Sequence, residues 1–165
     1  MTEQALGKET GDSKHPTLYL MVGLPGSGKT TRAKEIETEQ SAIRLTPDEW
    51  TLDIYGQDAN RALNDSMRDP IEALQWKFAK RLLSIGCNVV LDWGLWSKEE
   101  RTKYRGEAHD LGVDVKVVFL DLPIDELWER ISQRPESQKG TLHITREELE
   151  QWSTKFEPPS EEELA

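Results

Sequence analysis

Apolar and polar positions alternate between two rhythms along this chain. Leu18–Val22, Asn88–Leu91 and Val113–Leu120 are short, nearly unbroken apolar runs of strand length, and Ser41–Leu45 is a shorter one. Between them the spacing lengthens to that of helices. Lys29 to about Glu39 places Ala33 and Ile36 inward, and Thr46-Pro47-Asp48-Glu49 opens a second helix as a capping box. Gly56–Arg68 is polar and reads as a loop. Asp69-Pro70 then starts a helix whose Ile71, Leu74, Phe78, Leu82 and Ile85 share one face and which stops at Gly86. Ser97 and Glu100 cap a helix reaching Leu111 and ending at Gly112. Pro123 opens another that carries Ile124, Leu127, Trp128 and Ile131 until Pro135. Residues 135–142 read as loop. Thr145 and Glu148 form a further capping box for a helix through Trp152, and Pro158-Pro159 leads into the acidic end Glu161–Glu163.

Strands alternating with helices predict an α/β fold of three layers, a short parallel sheet with helices on both faces. Four strands are legible, and residues 140–144 leave a fifth open. At 165 residues without an internal linker the chain is expected to be one domain with a real core. Its expected division is a disordered tail over 1–16, the domain over 17–159 with a lid at about 134–145, and an acidic tail over 160–165.

Composition narrows the classes. No run approaches the roughly 18 apolar residues of a membrane span, and the polar start has no signal-peptide core. The single cysteine, Cys87, excludes an internal disulfide, fits a reducing cytoplasmic setting and reads as a packed small residue. A net charge of −10 repels DNA and RNA at long range, so a nucleic-acid partner is not expected. His15, His109 and His143 lack metal-ligand spacing, and no zinc site is expected.

The chemistry concentrates where strands end. Gly23-Leu24-Pro25-Gly26-Ser27-Gly28-Lys29-Thr30 is a complete G-x-x-x-x-G-K-[ST] phosphate-binding loop between a strand and a helix, with Thr31 following. Glycines let backbone N–H groups converge on a polyphosphate at the positive end of the helix. Lys29 reaches the β- and γ-phosphates and Thr30 offers a hydroxyl to Mg²⁺. Two strands end in aspartate, Asp92 and Asp121, either of which suits the magnesium shell. Asp92 is favoured because Gly94 follows it, whereas Asp121 enters an ordinary helix. Asp48, after the second strand, is a candidate general base; complementing a helix dipole is the alternative.

Arg130 and Arg134 share a helix face before a loop, placed either to clamp a γ-phosphate or to be solvated beside Glu126 and Glu129. Arg101, one turn into the helix after Asp92, is a candidate phosphate or substrate contact, or a partner of Glu107 or Asp48. Of six tryptophans, Trp50, Trp93 and Trp96 follow the carboxyl ends of strands and form a candidate pocket wall. Trp76, Trp128 and Trp152 sit on helices and read as packing.

Taken together, GLPGSGKTT at 23–31, LTPDEW at 45–50, NVVLDWGLWSKEER at 88–101, FLDLPIDELWERISQR at 119–134 and HITREELEQW with FEPP at 143–159 resemble the small P-loop kinases of the AAA_33 type. Zeta-toxin sugar kinases, chloramphenicol phosphotransferase, gluconate kinase and the kinase part of polynucleotide kinases are related. The resemblance implies a nucleoside-kinase-like P-loop NTPase fold that uses ATP and Mg²⁺. It implies Asp48 as the base for the acceptor hydroxyl, Asp92 beside Thr30 in the magnesium shell, and Arg130 and Arg134 as nucleotide and phosphate clamp; Arg101 is a looser match near substrate. Pro47-Asp48 and Asp92-Trp93-Gly94 depart from many relatives and turn the expectation away from polynucleotides. The expected function is transfer of the γ-phosphate of ATP to a hydroxyl of a small molecule, with acidic surface and tryptophans favouring a cationic, sugar-like or aromatic acceptor. A nucleotide switch or ATPase without acceptor and a polynucleotide 5′-hydroxyl kinase are the alternatives.

Overall fold

The computed structural model describes residues 15–135 and 143–165. Its strands are β1 (Thr17–Val22), β2 (Ala42–Leu45), β3 (Asn88–Gly94) and β4 (Asp114–Phe119). Its helices are α1 (Lys29–Glu39), α2 (Pro47–Tyr55), α3 (Arg61–Ser84), α4 (Lys98–Asp110), α5 (Ile124–Ser132), α6 (Arg146–Lys155) and α7 (Glu161–Leu164). All strand pairs are parallel, in the order β2-β3-β1-β4. Most of the expected lid, residues 136–142, lies outside the described residues, as do residues 1–14 of the expected tail and the first part of the fifth-strand candidate; His143–Thr145 is not strand.

Alternation along β1 and β3 divides the core. Leu18, Leu20, Val22, Val89 and Leu91 pack with Trp76, Ala79 and Leu83 of α3 and Tyr104 and Ala108 of α4 on one side. Tyr19, Met21 and Val90 meet Ala33 and Ile36 of α1 on the other. A side-chain period of two makes this double coverage possible. Every strand therefore delivers its carboxyl end to one edge, where β1 and β3, adjacent though far apart in sequence, open the crevice that α/β folds use for ligands.

Three local expectations are corrected. The 56–68 stretch is not a loop: α3 begins at Arg61, capped by the Asn60 side chain accepting from Leu63 N, and runs through Pro70. Pro70 removes one backbone donor, but the turns around it are held by Arg61–Asp65 and Arg68–Glu72 pairs four apart. The buried face of α3 is also rotated. Ile71, Gln75, Trp76, Ala79 and Leu83 point inward, whereas Leu74, Phe78 and Ile85 are 54%, 39% and 74% exposed. The true stripe passes through Gln75 and Ala79, which a reading by hydrophobicity alone skips; Gln75 Oε1 accepts from Trp93 Nε1 at 2.8 Å. Finally, Thr46 caps no helix with its side chain. Its hydroxyl donates to Asp92 and accepts from Arg44, and Glu49 pairs with Arg44 at 2.8 Å.

The capping boxes at Ser97/Glu100 and Thr145/Glu148 are formed. A further one, Ser160/Glu163, turns the expected acidic tail into α7, with Glu163 buried. Among the described residues no helix is long and apolar enough to cross a membrane.

Candidate active site

The phosphate loop spans the turn from β1 to α1 and is pressed from two sides. A Cβ on Gly23 would lie 2.7 Å from Leu120 O, and one on Gly26 2.9 Å from Leu127 O and 3.0 Å from Ile131 Cγ1. With φ of +83° at Gly26, the position requires glycine on both steric and backbone grounds. Gly28 stands at the N-cap of α1 with no side-chain cap, and the first turn carries no acidic residue. The first N–H groups and the positive helix end are thus left for an anion.

Lys29 Nζ donates to Leu24 O at 2.9 Å within the loop. Burial pushes its pKa down to about 8, Arg68 and Arg134 add to this, and Asp92 and Asp48 oppose it. A phosphate beside it would further favour the charged form. Ser27 Oγ is buried without a hydrogen-bond partner among the described residues. The orphaned hydroxyl, the glycine cradle and the uncapped helix fit a bound polyphosphate.

Thr30 Oγ1 donates to Asp92 Oδ2 at 2.8 Å, joining the two groups expected to hold magnesium. Thr46 Oγ1 reaches the same oxygen at 3.2 Å, and Arg44 lies 4.0 Å away. Burial raises the Asp92 pKa above its ordinary value, against the pull of Thr30, Lys29, Thr46 and Arg44. A carboxylate and a hydroxyl are oxygen donors, which suits a hard cation that keeps most of its waters. Among the described residues no group of three His, Cys, Asp or Glu forms a protein-only metal cluster. Asp121 is exposed and outside this arrangement.

A cavity of about 590 Å³ extends from the loop. Its walls include Lys29, Thr30, Thr31 and Asp92 together with Asp48, Trp93 and Trp96, with Arg134 also lining it. Asp48, in the first turn of α2, accepts from Asn64 Nδ2 at 3.1 Å and lies 3.8 Å from Arg68. Arg130 does not line the cavity: it pairs with Glu126 at 3.1 Å, though its guanidinium sits 3.8 Å from the site of a Cβ on Gly28.

Two sequence-predicted contacts are displaced. Trp50 packs half-buried against the core instead of lining the cavity; Trp152, expected to be packing, takes the wall position, 5.7 Å from Trp96 between ring centres. Arg101 is 0% exposed and does not line the cavity. Its Nε donates to Glu163 at 2.7 Å and its Nη1 to Leu95 O at 2.9 Å.

The largest omission is the first half of α3. Arg61, Asn64, Arg68 and Glu72, spaced three or four apart, line the cavity with Asp65 and Asp69. The signal was that spacing: a polar stripe at helical period looks like a loop unless something polar faces it. Glu72 has its pKa raised to about 7, chiefly by burial, although Arg68 lies at 2.8 Å.

The AAA_33 family model, described as an AAA domain, matches residues 18–159, and the chain belongs to that family. No curated protein matches. Solved structures share the fold. A candidate kinase from Chloroflexus aurantiacus is similar at 18% identity with a TM-score of 0.73, covering 88% of this chain and 83% of that one. Kti12 of Chaetomium thermophilum, solved with ADP-AlF3, is similar at 23% identity and TM-score 0.60, covering 87% and 81%. A chain of the Pnkp1/Rnl/Hen1 RNA repair complex is similar at 24% identity and TM-score 0.65, covering 90% of this chain, which spans only 46% of that one. The fold is that of the P-loop kinases.

Proposed function

We propose that this protein is an ATP-dependent phosphotransferase that moves the γ-phosphoryl group of ATP to a hydroxyl of a small molecule. The observation that carries the proposal is the shared cavity: Asp48 lines the same space as Lys29, Thr30 and Asp92, with room for an acceptor between its other walls. An ATPase needs a phosphate loop and a place for water, but no wall of this extent.

In the proposed reaction the acceptor oxygen attacks the γ-phosphorus, the bond to the β–γ bridging oxygen breaks and ADP leaves. The hydroxyl proton passes to the Asp48 carboxylate, which Asn64 orients. Lys29 and the loop N–H groups bind the triphosphate, and Arg134 adds positive charge at the cavity wall. Thr30 and Asp92 would hold magnesium, which when bound neutralises charge on the phosphoryl oxygens.

A cationic acceptor suits this cavity. Among the residues that line the cavity outside the phosphate loop, Asp65, Asp69, Glu72 and Glu100 outnumber Arg61 and Arg68, and Trp96 and Trp152 supply aromatic surface. The same carboxylates and the net charge of −10 argue against a polynucleotide acceptor, the alternative raised by the RNA repair neighbour.

The test is ATP turnover with Mg²⁺ over a library of hydroxyl compounds, wild type beside Asp48→Asn. Acceptor-stimulated ADP release that is lost in the variant supports the kinase. Hydrolysis that ignores every acceptor and survives the substitution supports the acceptor-free ATPase.

A further inference from the structure

The end of β3, the segment joining it to α4 and the first turn of α4 line the cavity at Gly94, at Leu95 and Trp96, and at Glu100 respectively. It is a demanding piece of backbone. Leu95 is 3% exposed and sits at φ +44°, in the left-handed region that a leucine seldom adopts. Something must hold it there.

The holding group is Arg101 of α4, itself held from the far end of the chain. Arg101 Nη1 donates to Leu95 O at 2.9 Å, and its Nε donates to Glu163 Oε1 at 2.7 Å. The two side chains are 0% and 3% exposed. Ser160 N donates to Glu163 Oε2 at 2.8 Å, so the carboxylate is held on both oxygens. Next door, Glu157 N donates to Trp96 O at 2.9 Å while Lys98 N donates to Glu157 Oε2 at 2.8 Å. Glu157 thus holds the Trp96 carbonyl directly, and Glu163 holds the Leu95 carbonyl only through Arg101. Burying an ion pair is costly and seldom the cheapest way to stabilise a fold, whereas it does define a geometry.

We propose that the Arg101–Glu163 pair positions Leu95 and Trp96, so that α7 sets acceptor recognition from outside the cavity. The proposal rests on the phosphotransferase reading for its kinetic part. Arg101 and Glu163 are positioning residues: neither lines the cavity. Loosening the pair moves Leu95 and Trp96, while Gly94, whose carbonyl accepts from Gly23 N at 3.2 Å, stays tied to the phosphate loop.

The experiment compares wild type, Glu163→Gln and the double variant Arg101→Met/Glu163→Leu, which fills the same space with apolar atoms but cannot bond Leu95 O. Three quantities are read: ATP affinity, acceptor KM and kcat, and amide hydrogen exchange at residues 94–98. Both variants should keep ATP affinity within about twofold while acceptor KM rises about tenfold with little change in kcat. Exchange at Leu95 and Trp96 should quicken in both. If Glu163→Gln fails to fold, the double variant carries the test alone. A double variant with wild-type KM and wild-type exchange overturns the proposal, since the pair would then be packing only. Equal losses of ATP and acceptor affinity also overturn it. If no acceptor is found, the kinase reading fails separately, and exchange still decides: quickening confined to 94–98 supports positioning, and unchanged protection refutes it.

Discussion

The two ends of the cavity are built in opposite ways. The proposed phosphate end is one contiguous loop plus the start of α1, whose uncapped backbone N–H groups are suited to an anion. The proposed acceptor end takes side chains from α2, α3, the β3–α4 segment and α6, from Asp48 to Trp152, elements that no single motif joins. A triphosphate is the same in every enzyme that uses it, so a backbone cradle can be written as a short local pattern. An acceptor is read by the identities of separate side chains. The phosphate end should therefore be intolerant of small changes, and the acceptor end should yield in proportion to each contact.

The sharpest test of that contrast is Lys29→Ala. Turnover should fall by about a thousandfold at any acceptor concentration, because charge on the transferred group loses its main side-chain cation; unchanged turnover would remove the basis for the phosphate end altogether. Asp48→Asn should lower acceptor-stimulated ADP release by about a hundredfold while ATP affinity stays constant, since a general base acts only on the acceptor. A parallel loss of ATP affinity would mean that the two ends are not separable. Gly26→Ala adds one methyl group against Leu127 O at 2.9 Å, and isothermal titration should show about tenfold weaker ATP binding.

The arginine pair separates by location. Arg134→Ala, which alters the cavity, should cost several-fold in kcat, on the order of one exposed charge contact, and Arg130→Ala, whose side chain pairs with Glu126 in the open, should cost almost nothing. Equal effects would indicate that both arginines close on nucleotide. The mildest effect concerns pH. Glu72 titrates at about 7 in the fold and at an ordinary 4.5 when unfolded. Between those values the folded state binds more protons, so this group's contribution to stability falls as pH rises and levels off above about 7. Glu72→Gln should abolish that contribution, so the Tm of the variant should gain on wild type by a few degrees across this interval in thermal melts. A constant difference would show that Glu72 ionises normally.

The acceptor wall also shows why parts of the site were hard to read. Asn64 and Arg68 matter through Asp48 and the carbonyl of Trp93, groups contributed by other elements. Arg101 carries the residue type and the position of a substrate contact, yet Glu163, sixty-two residues later, claims it. Trp50 and Trp152 exchanged expected roles because a helix-borne tryptophan is inward or cavity-facing only relative to what packs beside it. Thr46 had the spacing of a helix cap, but its hydroxyl donates to the Asp92 carboxylate and its oxygen accepts from the charged Arg44 guanidinium, not from a backbone N–H of α2.

The parallel α/β architecture, the phosphate loop with Lys29 and Thr30, and Asp92 as the carboxylate beside them were all legible along the chain. Those depend on apolar period, on glycine at positions where a Cβ collides, and on strand ends reaching a common edge, all of which are local or follow from parallel topology. Only the tertiary structure decided that α3 starts at Arg61, which tryptophans reach the cavity, and that Arg101 is locked by Glu163. Those outcomes depend on which polar partner arrives from a distant element, and burial makes the arriving partner decisive because an unpaired charge cannot remain inside.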